Sequence, residues 1–319
     1  MKRLLFVLLA TGLFFNAGAA EKENPQPKAL KVLMIGNSFS ICVLNQMPAI
    51  ARSMGLELDL VSMFIGGCSL ETHWKNATSE KPIAPYLITW NYGGVKNATN
   101  APIRSAAREM MVYNWSTKKK DRPGHGANIP EMLTADKWDI VTIQQASHYS
   151  WQPATYHPWG DDLVKLIRTR APQAEIVFQE TWSYTPWDKR LARFGLDRDT
   201  MYSCIRAACK DFAQKYRFRT IPTGTAVQEW RKRLPVVYTE NSFGGDVAGS
   251  AKFERTADGK WEPKGDVFHL NASGDYLQGL VWTARLFGVD VRKCTYRPSN
   301  MSEKDAVLMR ECAMAAIGR

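Results

Sequence analysis

Short apolar runs alternate along the chain with longer segments in which apolar residues recur at helical spacing. The short runs predict five strands, and the longer segments predict helices between them. The predicted strands are 31–36, 57–63, 138–144, 174–179 and 218–222. The predicted helices include 44–55, 159–172, 199–216 and 271–288. This alternation predicts an α/β fold of three layers, α/β/α, with a mostly parallel central sheet of about five strands.

Two stretches interrupt the alternation of strands and helices. Residues 75–125 separate the second and third predicted strands, and residues 236–265 precede the last predicted helix. Neither stretch has enough apolar residues for a core of its own. We therefore expect one domain over 30–319 with two loop insertions, the second with room for a hairpin. Loops of this kind commonly shape the substrate site of α/β proteins.

The first twenty residues have the layout of a secretory signal peptide. Lys2 and Arg3 are followed by an apolar run over 4–15 and by small residues up to Ala20. The run is short for a membrane span, and no second run is long enough to cross a bilayer. We expect cleavage near residue 20, a secreted or periplasmic protein, and no stable membrane insertion.

The charge and the cysteine content narrow the function classes. The formal net charge is +11, but the basic residues are scattered, so no nucleic-acid partner is expected. Anionic glycans or an anionic envelope surface stay open as partners. Export permits disulfides among the six cysteines, whose pairing cannot be read from the sequence. The spacing of cysteines and histidines gives no zinc signature, and the oligomeric state is left open.

Ser38 is the candidate nucleophile because of its place in "KVLMIGNSFS". It follows a buried-looking strand directly, and open α/β sheets bind ligands at the carboxyl ends of strands. Ser40 is the rival nucleophile. His269 in "GDVFHLNASGDYL" is the candidate base, and Asp266 lies three residues earlier, close enough to orient its ring. The alternative interpretation of Asp266 and His269 is a surface loop leading into a helix.

Two further strand ends carry candidate oxyanion donors. The second strand runs into "FIGGCSLETHW", in which Gly66 and Gly67 let the backbone approach a ligand. The third runs into "IQQASHYSW", in which Gln144 and Gln145 offer neutral side-chain donors. Serine, glycine and amide groups thus recur after successive strands.

These motifs resemble the blocks of SGNH (GDSL) hydrolases. "IGNSFS" resembles the first block, with Asn37 where Asp is more usual, "GGCSL" the second, and "DVFH" the final one. The third block usually carries Asn; "QQAS" replaces it and resembles the block of sialate and xylan acetylesterases. The resemblance covers about residues 30–288 and implies the flavodoxin-like SGNH hydrolase fold.

The resemblance implies a Ser-His-Asp mechanism that needs no metal or organic cofactor. Ser38 would attack an ester, with His269 as base and Asp266 as its partner. The oxyanion would bind the backbone of Ser38 and Gly67 and the side chain of Gln145, with Gln144 and His148 as alternatives to Gln145. The side chains expected to contact the substrate are Asn37, Trp74, Gln144, His148 and Trp182.

The substrate class that the sequence favours is a small acyl ester, most of all an acetyl ester, on a carbohydrate. Tryptophans after the strand ends suit the apolar face of a sugar ring. Two alternatives remain open: a lipase or lysophospholipase on the same scaffold, and a glycan-binding relative without activity.

Overall fold

The computed structural model describes residues 26–79, 86–90, 112–114, 119–122, 128–234 and 236–319. The predicted signal peptide, residues 1–20, lies outside these ranges, as does most of the predicted insertion at 75–125.

Eight strands form the main sheet within the described ranges. They are β1 (Ala29–Gly36), β2 (Glu57–Phe64), β3 (Leu87–Trp90), β4 (Val112–Asn114), β5 (Lys119–Arg122), β6 (Ile140–Ile143), β7 (Glu175–Glu180) and β8 (Arg219–Pro222). Their order is β5–β4–β3–β2–β1–β6–β7–β8. Five of these strands pair in parallel, in the order β2–β1–β6–β7–β8. All five strands predicted from the sequence are confirmed.

The order of the parallel strands defines where a ligand can bind. β2 lies on one side of β1, and β6, β7 and β8 follow on the other. This is the flavodoxin-like order. The chain adds β2 on one side of β1 and then crosses to add β6 on the other side, so the strand order reverses between β1 and β6. The crevice beyond the carboxyl ends of β1 and β6 is therefore the expected ligand site, and Ser38 lies at its edge.

Three short strands extend the sheet where the sequence predicted an insertion of loops. β3 pairs antiparallel with β2, β4 pairs parallel with β3, and β5 pairs antiparallel with β4. Strands of three or four residues that add to an existing sheet edge do not need a long apolar run. The hydrophobic pattern therefore gave no signal for them.

Ten α-helices lie in the described ranges. They are α1 (Ser38–Ile41), α2 (Met47–Ser53), α3 (Leu70–Thr78), α4 (Ile129–Ala135), α5 (Trp159–Arg170), α6 (Arg190–Phe194), α7 (Arg198–Tyr216), α8 (Thr223–Arg233), α9 (Ala272–Phe287) and α10 (Glu303–Ala316).

The two faces of the sheet carry separate hydrophobic cores. Val32 and Met34 of β1 point to the face covered by α2, α8, α9 and α10. Leu33 and Ile35 point to the opposite face, covered by α3, α4 and α5. Successive side chains of a strand face opposite sides, so a strand buried on both sides reads as a continuous apolar run. The predicted three-layer architecture is confirmed.

The predicted helices are found with small changes at their ends. The segment 44–55 divides into a 3₁₀ turn, Cys42–Asn45, and α2, which has Pro48 in its first turn. Helix α9 begins after Asn271, whose side chain accepts bonds from the backbone of Ser273 and Gly274, and ends at Gly288. Helices α1, α3, α4, α6, α8 and α10 were not predicted.

The second predicted insertion contains a two-stranded hairpin. β9 (Lys252–Arg255) pairs antiparallel with β10 (Trp261–Lys264), and the chain then runs directly into Asp266. The hairpin therefore lies next in sequence to the candidate Asp-His loop.

All six cysteines carry free thiols, so the disulfides that export would permit are not formed. In the described part of the chain, no helix combines the length and the apolar character that a membrane span requires.

Candidate active site

Ser38 is the first residue of α1, in the tight turn that follows β1. Asn37 is the N-cap of α1, and its side-chain oxygen accepts a hydrogen bond from the Phe39 amide at 2.9 Å. A Cβ atom at Gly36 would lie 2.2 Å from Ser40 Oγ, so a larger residue there would displace the Ser40 side chain. Ser40 is buried and donates to the Asn37 carbonyl, whereas Ser38 is partly exposed. The turn therefore presents Ser38 and not its rival.

The structure brings Ser38, His269 and Asp266 into one chain of hydrogen bonds. Ser38 Oγ lies 2.8 Å from His269 Nε2, and His269 Nδ1 lies 2.6 Å from Asp266 Oδ2. A carboxylate only accepts hydrogen bonds, so His269 carries its proton on Nδ1 and leaves Nε2 to accept from Ser38. This is the arrangement of a nucleophile, a general base and the acid that orients the base.

The environment of Asp266 keeps its carboxyl group ionised. Partial burial acts to raise its pKa, but the bonds from the His269 ring and from the Phe268 and His269 amides, with the charge of His269, outweigh this. Together these interactions lower the pKa of Asp266 from 3.8 to about 2. The two amides lie 3.0 and 2.9 Å from Oδ1. Asp266 is therefore available to stabilise a charged His269.

The backbone of the Asp-His loop is fixed by the segment that precedes the hairpin. The Gly249 amide donates to the His269 carbonyl at 2.8 Å. The Ser250 and Ala251 amides donate to the Asp266 carbonyl at 2.9 and 2.8 Å. These bonds hold both ends of the loop.

Trp182 connects the nucleophile turn to the base loop. Its ring stacks on Phe39 with centroids 4.0 Å apart and an interplanar angle of 15°. Its Nε1 donates to the Phe268 carbonyl at 2.8 Å, and Thr185 donates to the next carbonyl, that of Val267, at 2.6 Å. Phe39 follows the nucleophile and Phe268 precedes the base. Trp182 thus joins the turn that carries Ser38 to the loop that carries His269.

The expectation that Trp182 contacts the substrate is therefore wrong. Its side chain is fully buried, because the stacking and the indole hydrogen bond turn it into the interior. The sequence showed only that a tryptophan follows β7, and that position is compatible with either face of the site.

Gln145 does not supply the third oxyanion donor that the sequence suggested. Its Nε2 donates to the Thr155 carbonyl at 2.8 Å, and its Oε1 accepts from the amides of Leu70 and Ala146 at 3.1 and 2.8 Å. The side chain is 1% exposed and joins the start of α3 to the loop after β6. The expectation is wrong because the amide is already used to hold two loops together.

Gln144 and Asn37 also hold loops and do not face a substrate. Gln144 Nε2 donates to Asn37 Oδ1 at 2.6 Å, and Asn37 Nδ2 donates to the Cys68 carbonyl at 2.9 Å. Each side chain is 1% exposed. The expectation of direct substrate contact is contradicted for both residues. Together they tie the ends of β1, β2 and β6 to one another.

Two backbone amides remain suited to an oxyanion. Within the described residues, the amides of Ser38 and Gly67 have no hydrogen-bond partner. Gly67 has a φ of +62°, a conformation that glycine adopts without strain. The bond from Asn37 to the Cys68 carbonyl keeps the Gly67 loop beside the nucleophile turn.

Trp74 and His148 are partly exposed, and their predicted contacts with substrate stay predictions. Trp74 lies on α3, and His148 lies in the turn after β6 with its ring 4.2 Å from that of Tyr149. Partial burial lowers the pKa of His148, and the nearby charge of Arg190 lowers it further. His148 is thus a neutral donor or acceptor at neutral pH.

Arg190 is a site residue for which the sequence gave no signal. Its guanidinium lies 4.1 Å from the centroid of the Tyr184 ring and 4.0 Å from that of Phe268. It also forms a two-point ion pair with Asp188, in which Nη2 lies 2.6 Å from Oδ2. Held between two rings, Arg190 supports Phe268 and therefore the base beside it.

Within the described ranges, no three His, Cys, Asp or Glu side chains come together as a metal site.

A comparison with models of protein families assigns a family that the motifs did not name. The domain of unknown function DUF4886 matches residues 117–316, which is more than half of the chain. The chain belongs to the DUF4886 family. A DUF4886 protein from Bacteroides uniformis is 26% identical, with a TM-score of 0.68, over 91% of this chain and 95% of that chain. No curated protein matches.

Solved structures of lower sequence identity also align with the chain. A protein from Slackia heliotrinireducens, described as a candidate SGNH hydrolase, is 18% identical, with a TM-score of 0.47, over 81% of this chain and 99% of that chain. Phospholipase A1 from Streptomyces albidoflavus is 14% identical, with a TM-score of 0.37, over 81% and 99%. The resemblance to SGNH hydrolases rests on the sequence motifs themselves.

The lowered pKa of Asp266 makes a prediction about acid stability. A carboxyl group with a pKa lowered from 3.8 to about 2 stabilises the fold fully above about pH 4. That contribution disappears as the pH falls toward about 2. The melting temperature of Asp266→Asn should therefore lie below that of the wild type at about pH 4, and the difference should shrink as the pH falls further.

Differential scanning fluorimetry across this pH range measures both melting temperatures. Asp211→Asn is the matched control, because Asp211 is exposed on α7, away from the loop. A difference for Asp266→Asn that stays the same down to the lowest pH at which both proteins fold would contradict the account.

Proposed function

We propose that this protein is an exported serine esterase that removes small acyl groups, acetyl most of all, from carbohydrates. The observation that carries the proposal is the continuous chain from Ser38 through His269 to Asp266, with bonds of 2.8 and 2.6 Å. It lies where the flavodoxin-like strand order places a ligand, at the carboxyl ends of β1 and β6.

The first half of the reaction forms an acyl-enzyme. Ser38 Oγ attacks the ester carbonyl while His269 Nε2 takes the hydroxyl proton, and Asp266 stabilises the resulting imidazolium. The amides of Ser38 and Gly67 donate to the oxyanion, and each such donor is typically worth about 3 kcal/mol in the transition state. The intermediate then collapses, and the sugar alcohol leaves with the proton from His269.

The second half of the reaction restores the enzyme. Water attacks the acyl group on Ser38, and His269 accepts a proton from that water. The second tetrahedral intermediate expels Ser38 Oγ, which takes the proton back, and the small acid leaves. Asp266 stays ionised through both halves because its pKa is about 2.

The signal-peptide pattern of residues 1–20 supports the exported location in this proposal, since glycans of other cells are met outside the cytoplasm. The polar and charged residues around the base loop, among them Arg190 and Asp188, support a polar substrate in place of a long acyl chain.

Ser38→Ala should abolish hydrolysis of p-nitrophenyl acetate because no other hydroxyl reaches His269 Nε2 among the described residues. Its melting temperature should stay near that of the wild type, since Ser38 is partly exposed. Ser40→Ala is the matched control and should keep most of the activity. The acyl preference follows from rates on acetyl, butyryl and octanoyl esters.

Two results would contradict the proposal. One is loss of activity in Ser40→Ala while Ser38→Ala stays active, which would show that Ser38 is not the nucleophile. A higher kcat/KM on the octanoyl ester than on the acetyl ester would favour a lipase.

Trp182→Phe should lower kcat on p-nitrophenyl acetate by about tenfold with little change in KM, because the loss of its bond to Phe268 loosens the approach of His269 to Ser38. A phenyl ring keeps the stacking on Phe39. The loss of one such hydrogen bond costs about 1 kcal/mol in unfolding free energy. Steady-state kinetics and urea unfolding measure the two effects.

Trp138→Phe is the control for the positioning role of Trp182. The indole of Trp138 also donates to a carbonyl, that of Met132 at 2.7 Å, but beneath α4 and away from the site. It should lose similar stability and keep its kcat. Equal kcat in the two variants would reject the positioning role.

A further inference from the structure

A cavity of about 340 Å³ opens beside the base loop. Val267 and Phe268 line it on one side, Glu262 and Pro263 of the hairpin on another, and Arg190 on a third. The ring centroid of Phe268 lies 4.0 Å from that of His269. The cavity therefore begins one residue from the proposed base, on a surface that the reaction itself does not use.

A second cavity of about 780 Å³ lies next to the first. Both cavities are lined by Trp187, Asp188 and Lys189, so these three residues form a shared wall. The volumes lie within the usual range for small-molecule sites. Together they form an extended surface that leads away from the base and could follow a chain of linked units.

Trp187 is the aromatic residue of this shared wall. It is partly exposed, and its ring meets Phe253 edge-on at 5.1 Å and 68°. Its Nε1 is shielded from solvent and has no hydrogen-bond partner among the described residues. An unpaired buried donor typically costs about 1–3 kcal/mol. Phenylalanine at this position would avoid that cost. A binding role for the wide face of the indole ring would explain why the residue is tryptophan.

The charges around the two cavities balance. The basic residues that line them are Lys189, Arg190, Arg193 and Arg198. The acidic ones are Asp188, Asp197, Asp199 and Glu262. Four of each sign give many hydrogen-bond donors and acceptors without a net field. An acyl chain would desolvate these groups without replacing their hydrogen bonds, and an anion would gain no net attraction.

We propose that Trp187 and the two cavities bind the neutral oligosaccharide that carries the ester. A sugar ring lies on the Trp187 indole, and its hydroxyls bond to the charged groups around it. This inference rests on the proposed esterase function and gives it a substrate class: an uncharged glycan of several units, in which the units beyond the esterified sugar add to binding.

The test compares Trp187→Ala with Trp261→Ala on two substrates. Trp261 is also a partly exposed tryptophan, but its ring lies under Arg255 outside both cavities. On chemically acetylated tetrasaccharides of the cello-, xylo- and manno- series, Trp187→Ala should lose about tenfold in kcat/KM on at least one series. On p-nitrophenyl acetate it should match the wild type. Trp261→Ala should match the wild type on both.

A binding measurement separates this inference from the esterase proposal. Isothermal titration of the same unacetylated tetrasaccharides into Ser38→Ala should show binding, and Ser38→Ala/Trp187→Ala should lose it. Wild-type protein that binds these glycans but hydrolyses no ester would overturn the esterase proposal and not the glycan site.

Three outcomes would overturn the inference. One is equal loss on p-nitrophenyl acetate and on the tetrasaccharides, which would mean a general defect. Another is no effect of Trp187→Ala on any tetrasaccharide. The third is tighter binding of anionic tetragalacturonate than of every neutral tetrasaccharide.

Discussion

The hydrogen bond between Ser38 Oγ and His269 Nε2 joins residues that are 231 positions apart in the sequence. Much of the described structure keeps these two atoms 2.8 Å from each other. The first strand delivers Ser38 to the middle of the sheet edge, and the capped start of α9 fixes His269 from the other end of the chain. Asn271, the cap of α9, also donates to the Asp246 carbonyl at 2.8 Å, which ties the helix to the segment before the hairpin.

Buried polar side chains around the site hold the loops, and in the proposed mechanism the backbone binds the oxyanion. Asn37, Gln144 and Gln145 are each 1% exposed and spend their amide groups on neighbouring loops. Buried polar groups need partners, and the hydrogen bonds of these amides restrict the loops that they join, although Gln144 Oε1 has no partner among the described residues. The amides of Ser38 and Gly67 are then presented by rigid turns. This arrangement suits a site that must be ordered before the substrate arrives.

The sequence predicted the parts of this structure that depend on local patterns. The five parallel strands were visible as apolar runs, since strands such as Ile140–Ile143 are buried on both faces. The nucleophile turn and the Asp-His loop were visible because short spacings place Asp266 beside His269.

The roles of Trp182 and Gln145 could not be predicted, because they depend on partners far away in the sequence. Trp182 bonds to a carbonyl 86 residues on, and Gln145 accepts from an amide 75 residues back. A tryptophan or a glutamine that follows a strand has the same sequence pattern whether its side chain contacts the substrate or another part of the protein. Trp187 gave no signal either, since its role follows from two cavities that only the folded chain forms.

The central claim is that Ser38 is a nucleophile activated by His269, and labelling with a fluorophosphonate tests it most directly. Attack by Ser38 Oγ on phosphorus expels fluoride and leaves a stable adduct, which peptide fragmentation by mass spectrometry can assign to Ser38 or Ser40. We expect the adduct on Ser38, formed at least about 100-fold more slowly in His269→Ala. An adduct on another residue, or labelling of Ser38 at the same rate in His269→Ala, would contradict the account.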